Sequence, residues 1–209
     1  MRTTNKCGNI MEATMQIVAE QGLTTLSTRL AARRAGVSDG LMYRFFESKE
    51  ALLYACFESV HKDIAALFTD LPQQLSEAAV TDMTPAEQVQ MIRKIWETYF
   101  RFLIQNDYRT LFYFEYRNSS YIKKIREKDG EARTTYFKGF VEALEIAEKY
   151  YHIYDKISTE ILWSYILDTS GLFAGRIIRG EIPNTEESIE QIWGLMSKGI
   201  IGLFMANPS

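Results

Sequence analysis

Apolar residues recur along this chain at steps of three and four, the spacing that lines one face of an α-helix. Residues 6–21 carry Ile10, Ala13 and Ile17 in this way, with Met11 and Val18 beside them, and Gly22 closes the segment as a residue free to take positive φ. Ser27 is placed to cap a short second helix that ends near Arg34, and Ser38 to cap a third that runs to Arg44 or Phe45. Between them, Ala35-Gly36-Val37 reads as a tight turn. A fourth helix starts around Glu47–Glu50 and carries Leu53, Cys56, Phe57, Val60, Ile64, Leu67 and Phe68, the most regular pattern in the chain.

A fifth helix opens at Thr84-Pro85-Ala86-Glu87, where a capping threonine, a proline in the first turn and a glutamate three residues on agree with one another. It carries Val89, Ile92, Trp96, Tyr99 and Leu103, and Asn106-Asp107 breaks it. A shorter sixth helix holds Leu111 to Tyr116, with a further turn at Tyr121 to Ile125. The seventh is predicted from Glu131 to Tyr151, the eighth from Ser158 to Arg179 with a stop at Gly180, and the ninth from Asn184 or Thr185 to Met205. The sum is an all-α protein of about nine helices with no convincing strand. Its expected organisation is an N-terminal three-helix bundle over residues 1–47 and a larger helical domain over residues 48–209.

The second and third helices are the informative pair. Two short helices joined by a tight glycine-containing turn have helix-turn-helix geometry, in which the second helix enters the major groove and its N-terminal residues meet base edges. Ala31 and Val37 are small or branched and let the helices cross closely. Helix starts at Ser27, Ser38 and Ser48 would turn free N–H groups toward phosphates.

Charge sharpens this reading. The net charge is −3, so the protein is not basic overall. Residues 1–53, however, hold 7 Lys/Arg against 5 Asp/Glu, while the remainder holds 17 against 22. Arg29, Arg33, Arg34 and Arg44 face only Asp39 between Ser27 and Phe46. A local basic patch on an acidic protein can orient a polyanion, although a solvated helix face often carries the same small excess. Two cysteines, Cys7 and Cys56, and two histidines, His61 and His152, offer neither a disulfide framework nor a zinc-ligand set. The polar start lacks a signal-peptide core and no apolar run reaches membrane-span length, so a reducing, cytoplasmic setting without a membrane is expected.

From Leu30 to Leu53 the residues read LAARRAGVSDGLMYRFFESKEALL. The stretch resembles the TetR family of bacterial repressors, whose pattern is a turn of the AGV type, a serine, a tyrosine five residues later, a phenylalanine and then S-K-x-x-L. Ile10, Ala13 and Gly22 upstream also fit, and the resemblance covers residues 8–57. It implies that Tyr43 and Lys49 contact phosphate, that Thr28 does so from the start of the first motif helix, and that Ser38, Asp39, Gly40 and Arg44 face DNA. Met42 is a conservative departure from the branched residue usual there. Asp39 is a less comfortable one, since an acid near DNA repels phosphate unless it accepts from a cytosine amino group.

The resemblance further implies that the rest of the chain binds a small molecule and pairs with a second copy. The eighth and ninth helices carry the apolar stripes that pairing would use, with Trp163, Ile166, Ser170, Phe173 and Ile177 on one and Trp193, Met196 and Ile200 on the other. The alternative is that both stripes are core. For the small molecule, Phe112 and Tyr116 around Glu115, with Trp96, Tyr99, Tyr136, Phe140, Tyr165 and Asp168, either wall a cavity or form ordinary core. If a cavity, aromatic faces with an acid would suit an aromatic or cationic effector. Glu115 has a plain alternative in pairing with Arg109, Arg117 or solvent.

No Gly-rich phosphate loop, G-x-S-x-G elbow, H-E-x-x-H helix or paired cysteines are present, so no enzyme, cofactor or metal is expected. The expected function is a ligand-responsive repressor that binds a palindromic DNA operator as a homodimer and is released by an effector. Activation in place of repression, or an adaptor without DNA binding, are the alternatives.

Overall fold

The structure is a computed structural model that describes residues 2–70, 83–122, 158, 161–162 and 164–205 (backbone only at 2–5, 85 and 200–205). Among the described residues there are eight α-helices and no strand. The order is α1 (Arg2–Gln21), α2 (Thr28–Arg34), α3 (Asp39–Phe45), α4 (Lys49–Ala66), α5 (Pro85–Gln105), α6 (Asp107–Arg117), a wide π-type turn (Ser164–Asp168), α7 (Thr169–Ile178) and α8 (Glu186–Met205). The all-α expectation holds. The seventh helix expected over 131–151 lies outside the described residues, as do Tyr136, Phe140, Trp163 and the side chain of Ile200.

Helix ends follow the capping chemistry of the sequence. The Ser27 hydroxyl accepts from Leu30 N–H at 3.1 Å, Ser38 from Leu41 N–H at 3.3 Å and Ser48 from Ala51 N–H at 3.0 Å. Thr84 and Glu87 form the reciprocal box, with Glu87 N–H donating to the threonine hydroxyl at 3.3 Å and Thr84 N–H donating to the glutamate at 2.7 Å. The end of α2 is a Schellman turn. Val37 N–H reaches back to the Ala32 carbonyl at 3.0 Å and Gly36 N–H to Arg33 at 3.2 Å, which requires the positive φ of 65° that Gly36 supplies. That turn sets the angle between α2 and α3.

Two compact units divide the chain. The first comprises Met1–Asp63 and Asn106–Gly130, the second Ile64–Gln105 and Glu131–Ser209. The first is therefore larger than the expected DNA-binding segment of residues 1–47, because α6 packs along α1. Its core joins Ile10, Ile17, Val18, Ala31 and Met42 of the three N-terminal helices, and Leu26 of the α1–α2 loop, to Phe57, Phe112, Tyr113 and Tyr116. Phe57 lies flat on Tyr113 with ring centroids 5.0 Å apart, and the Tyr113 hydroxyl meets buried His61 Nδ1 at 2.9 Å. Arg109 clamps three helices together through Glu12 on α1, Ser59 and Asp63 on α4, and its own place on α6.

In the second unit α5 packs against α7 and α8. Trp96 is its centre, stacked on Phe100 at 4.8 Å, tilted against Trp193 at 5.2 Å and donating its indole N–H to the Ser170 hydroxyl at 3.1 Å. Ser170 passes its own proton to the Ile166 carbonyl at 2.6 Å, so this buried polar group is satisfied twice. On the surface, Arg93 and Arg101 of α5 pair with Glu190 and Glu186 of α8 and share Glu97 between them.

Candidate nucleic-acid interface

The helix α3 has two unlike faces. Met42 is fully buried, while Asp39, Gly40, Tyr43 and Arg44 are exposed, as is the capping residue Ser38. Tyr43 is 57% exposed on this short capped helix, so its ring is open to solvent. Its hydroxyl meets the Thr28 hydroxyl at 3.2 Å, which brings two of the sequence-predicted phosphate contacts together at the start of α2.

The four arginines of the patch are not equivalent. Arg34 binds Glu20 at 2.7 Å, and that hydrogen bond holds the Glu20 carboxyl below the usual carboxylate range; this arginine braces α2 against α1. Arg29 pairs with Asp39 at 3.5 Å, with both side chains largely in solvent. Such a surface pair contributes roughly 0–1 kcal/mol, so it can open for a competing phosphate at little cost. While it is closed, the pair offsets the charge of Asp39. Among the described residues Arg33 and Arg44 are exposed and have no ion-pair partner. Arg33 was not among the sequence-predicted contacts, and α2 carries no acidic residue that would have separated it from Arg34 in the sequence.

Lys49, the first residue of α4, is half-buried and not simply free in solvent. Its ammonium donates to the Leu23 carbonyl at 3.3 Å and lies 5.9 Å from the centre of the Tyr121 ring. An ammonium has three N–H donors, so one more contact can be made without breaking this one.

The aromatic and acidic residues expected to hold a small molecule fall into separate units. Phe112 and Tyr116, both fully buried, stack at 5.9 Å within the first unit. Burial also pushes the Tyr116 hydroxyl well above its usual pKa. Glu115, on the same helix, accepts from the Leu23 backbone N–H at 2.6 Å and is thus tied to the α1–α2 loop. In the second unit Trp96 and Tyr99 are buried, and Tyr99 meets Phe68 at 5.8 Å. Tyr165 donates to the Met196 carbonyl at 3.1 Å, and Asp168 is half-buried.

The stripes expected to pair two copies also divide. Ser170, Ile177, Trp193 and Met196 are buried within the chain, while Ile166 and Phe173 are half-buried. Among the described residues, the exposed large apolar side chains of this unit are Ile161, Leu172 and Leu195. Among the described residues no three metal-binding side chains come together, and no helix is long and apolar enough to cross a membrane.

Residues 10–56, which span α1 to the first half of α4, match the family model of the bacterial regulatory proteins of the tetR family. The fold is similar to that of a TetR family transcription regulator from Marinobacter aquaeolei VT8, with 19% identity, 95% of this chain and 97% of that one covered, and a TM-score of 0.73. It is also similar to a TetR-family transcriptional regulator from Haemophilus influenzae, at 21% identity, 95% and 97% coverage and a TM-score of 0.60. A fatty acid degradation regulator from Bacillus halodurans shares it at 19% identity, 93% and 96% coverage and a TM-score of 0.62. At these identities the likeness to the solved structures is one of fold. The N-terminal segment thus matches the tetR family model, and the chain as a whole shares the fold of these regulators.

Proposed function

We propose that the protein is a repressor that reads a twofold-symmetric DNA site as a homodimer and is released by a small-molecule effector. The observation that carries the DNA part is the exposed face of α3, where Gly40, Tyr43 and Arg44 stand opposite buried Met42. Arg33, Arg44 and the spare donors of Lys49 supply the positive charge for the phosphates on either side. A helix presented in this way places its first residues at base edges in the major groove.

Pairing is assigned to the second unit, on the outward faces of α7 and α8. Leu172 and Arg176 on α7, and Gln191, Leu195 and Lys198 on α8, are exposed at helical spacing. Each stripe carries one large exposed apolar side chain, Leu172 and Leu195, which a twofold interface between copies would cover. The effector is assigned to the same unit, which has no part in the exposed face of α3.

The test uses DNA titrations at several salt concentrations. Lys49→Ala is expected to weaken binding to all sequences alike and to lower the slope of log K against log salt by about one unit. Arg44→Ala is expected to relax base preference at one position in each half-site, at about 1–3 kcal/mol, while non-specific affinity changes less. An Arg44→Ala protein with unaltered base preference would remove α3 as the reading element.

A further inference from the structure

Leu23 is the point at which α1 hands the chain to the helix-turn-helix, and both of its backbone polar groups are held by distant side chains. Its N–H donates to Glu115 Oε1 at 2.6 Å and its carbonyl accepts from Lys49 Nζ at 3.3 Å. The need for the first of these contacts arises in the backbone. Gly22, with φ of 84°, gives its own N–H to the Val18 carbonyl and turns the chain out of α1. Once the chain has turned, the next N–H has lost its helical acceptor, and Leu23 is a buried residue that cannot offer it freely to water. The acceptor comes from α6, 92 residues further along. A Cβ on residue 22 would lie 3.6 Å from the same carboxylate oxygen, so a side chain there would meet the glutamate in ordinary van der Waals contact.

We propose that Glu115 is a positioning residue for DNA recognition: by holding the Leu23 amide it fixes the α1–α2 loop and with it the aim of α2 and α3. The inference rests on the reading of α3 as the DNA-reading helix. The loop leads from Leu23 to the Ser27 cap of α2, and the first residue of that helix, Thr28, is the one that meets Tyr43. A shift of the loop is therefore a shift of the Thr28–Tyr43 pair. Recognition geometry has to be held within about 0.5 Å, and an N–H bonded to an ionised carboxylate is of the stronger class. The assignment also accounts for an acid beside four aromatic residues without an effector: one of its oxygens is already occupied by the protein's own backbone.

The test compares Glu115→Ala and Glu115→Gln with the parent protein, using hydrogen exchange at the Leu23 amide, thermal melting, and DNA titration at several salt concentrations. In Glu115→Ala the Leu23 amide should exchange faster and DNA affinity should fall roughly three- to tenfold. The salt slope should be unchanged, since no phosphate contact is removed. Glu115→Gln keeps an acceptor oxygen and should restore most of the affinity. An unchanged Leu23 exchange rate in Glu115→Ala would overturn the proposal, and so would a lower melting temperature with undiminished affinity of the folded protein. If the parent protein itself bound no DNA the functional reading would fail, and the exchange measurement would still decide whether Glu115 holds the loop.

Discussion

Met42→Glu is expected to abolish DNA binding by unfolding the helix-turn-helix, whereas Tyr43→Phe, one residue away, should leave the fold intact and weaken binding modestly. The contrast comes from the two faces of α3. Met42 is fully buried in the three-helix core, where a carboxylate has neither water nor a cation to compensate it. An uncompensated buried charge costs about 3–5 kcal/mol, a large part of the stability of a small domain. Tyr43 projects into solvent, and its hydroxyl touches only the Thr28 hydroxyl, at 3.2 Å, among the contacts described. Thermal melts followed by circular dichroism, alongside DNA titration, check both variants. A folded Met42→Glu protein with normal affinity would mean that α3 is turned the other way.

The second large effect belongs to the other unit. Trp96→Ala removes a ring stacked on Phe100 and tilted against Trp193, and takes away the donor to the Ser170 hydroxyl. Replacing a buried aromatic of this size by alanine costs about 3–5 kcal/mol. Trp96→Phe keeps a ring and loses the hydrogen bond, so a loss of about 1–2 kcal/mol is expected. Denaturant titration gives both numbers. Equal losses in the two variants would show that the hydrogen bond to Ser170, not the ring packing, holds α5 to α7.

Local chemistry explains why the N-terminal segment was legible in sequence. Ser27, Ser38 and Gly36 act within a few residues of themselves, through caps and a Schellman turn, and the structure puts each of these contacts where the spacing implies. The exposed set of Ser38, Asp39, Gly40, Tyr43 and Arg44 follows from the same register. Contacts between distant residues were not legible. Nothing near Glu115 in sequence points to the Leu23 amide, and nothing near Arg34 separates it from Arg33, yet Glu20 takes one and leaves the other without an ion-pair partner among the described residues.

The pairing stripes show a different limit. The segment before Arg179 is apolar on more than one side, and periodicity alone does not say which side faces its own chain. In the structure the face with Ser170, Ala174 and Ile177 turns inward, and Leu172 is left outside. The wide turn at Ser164–Asp168 adds to the difficulty, because its larger number of residues per turn breaks the register that a count of three and four assumes.

Selection of bound fragments from a random DNA pool by the purified protein tests most directly whether α3 reads DNA as one of a twofold pair. The account predicts enrichment of a palindrome whose half-site centres lie about 34–36 Å apart, one turn of the duplex, or a multiple of that, with binding that weakens steeply as salt rises. A pool that emerges without a symmetric motif, or a protein that retains no DNA at low salt, would contradict it.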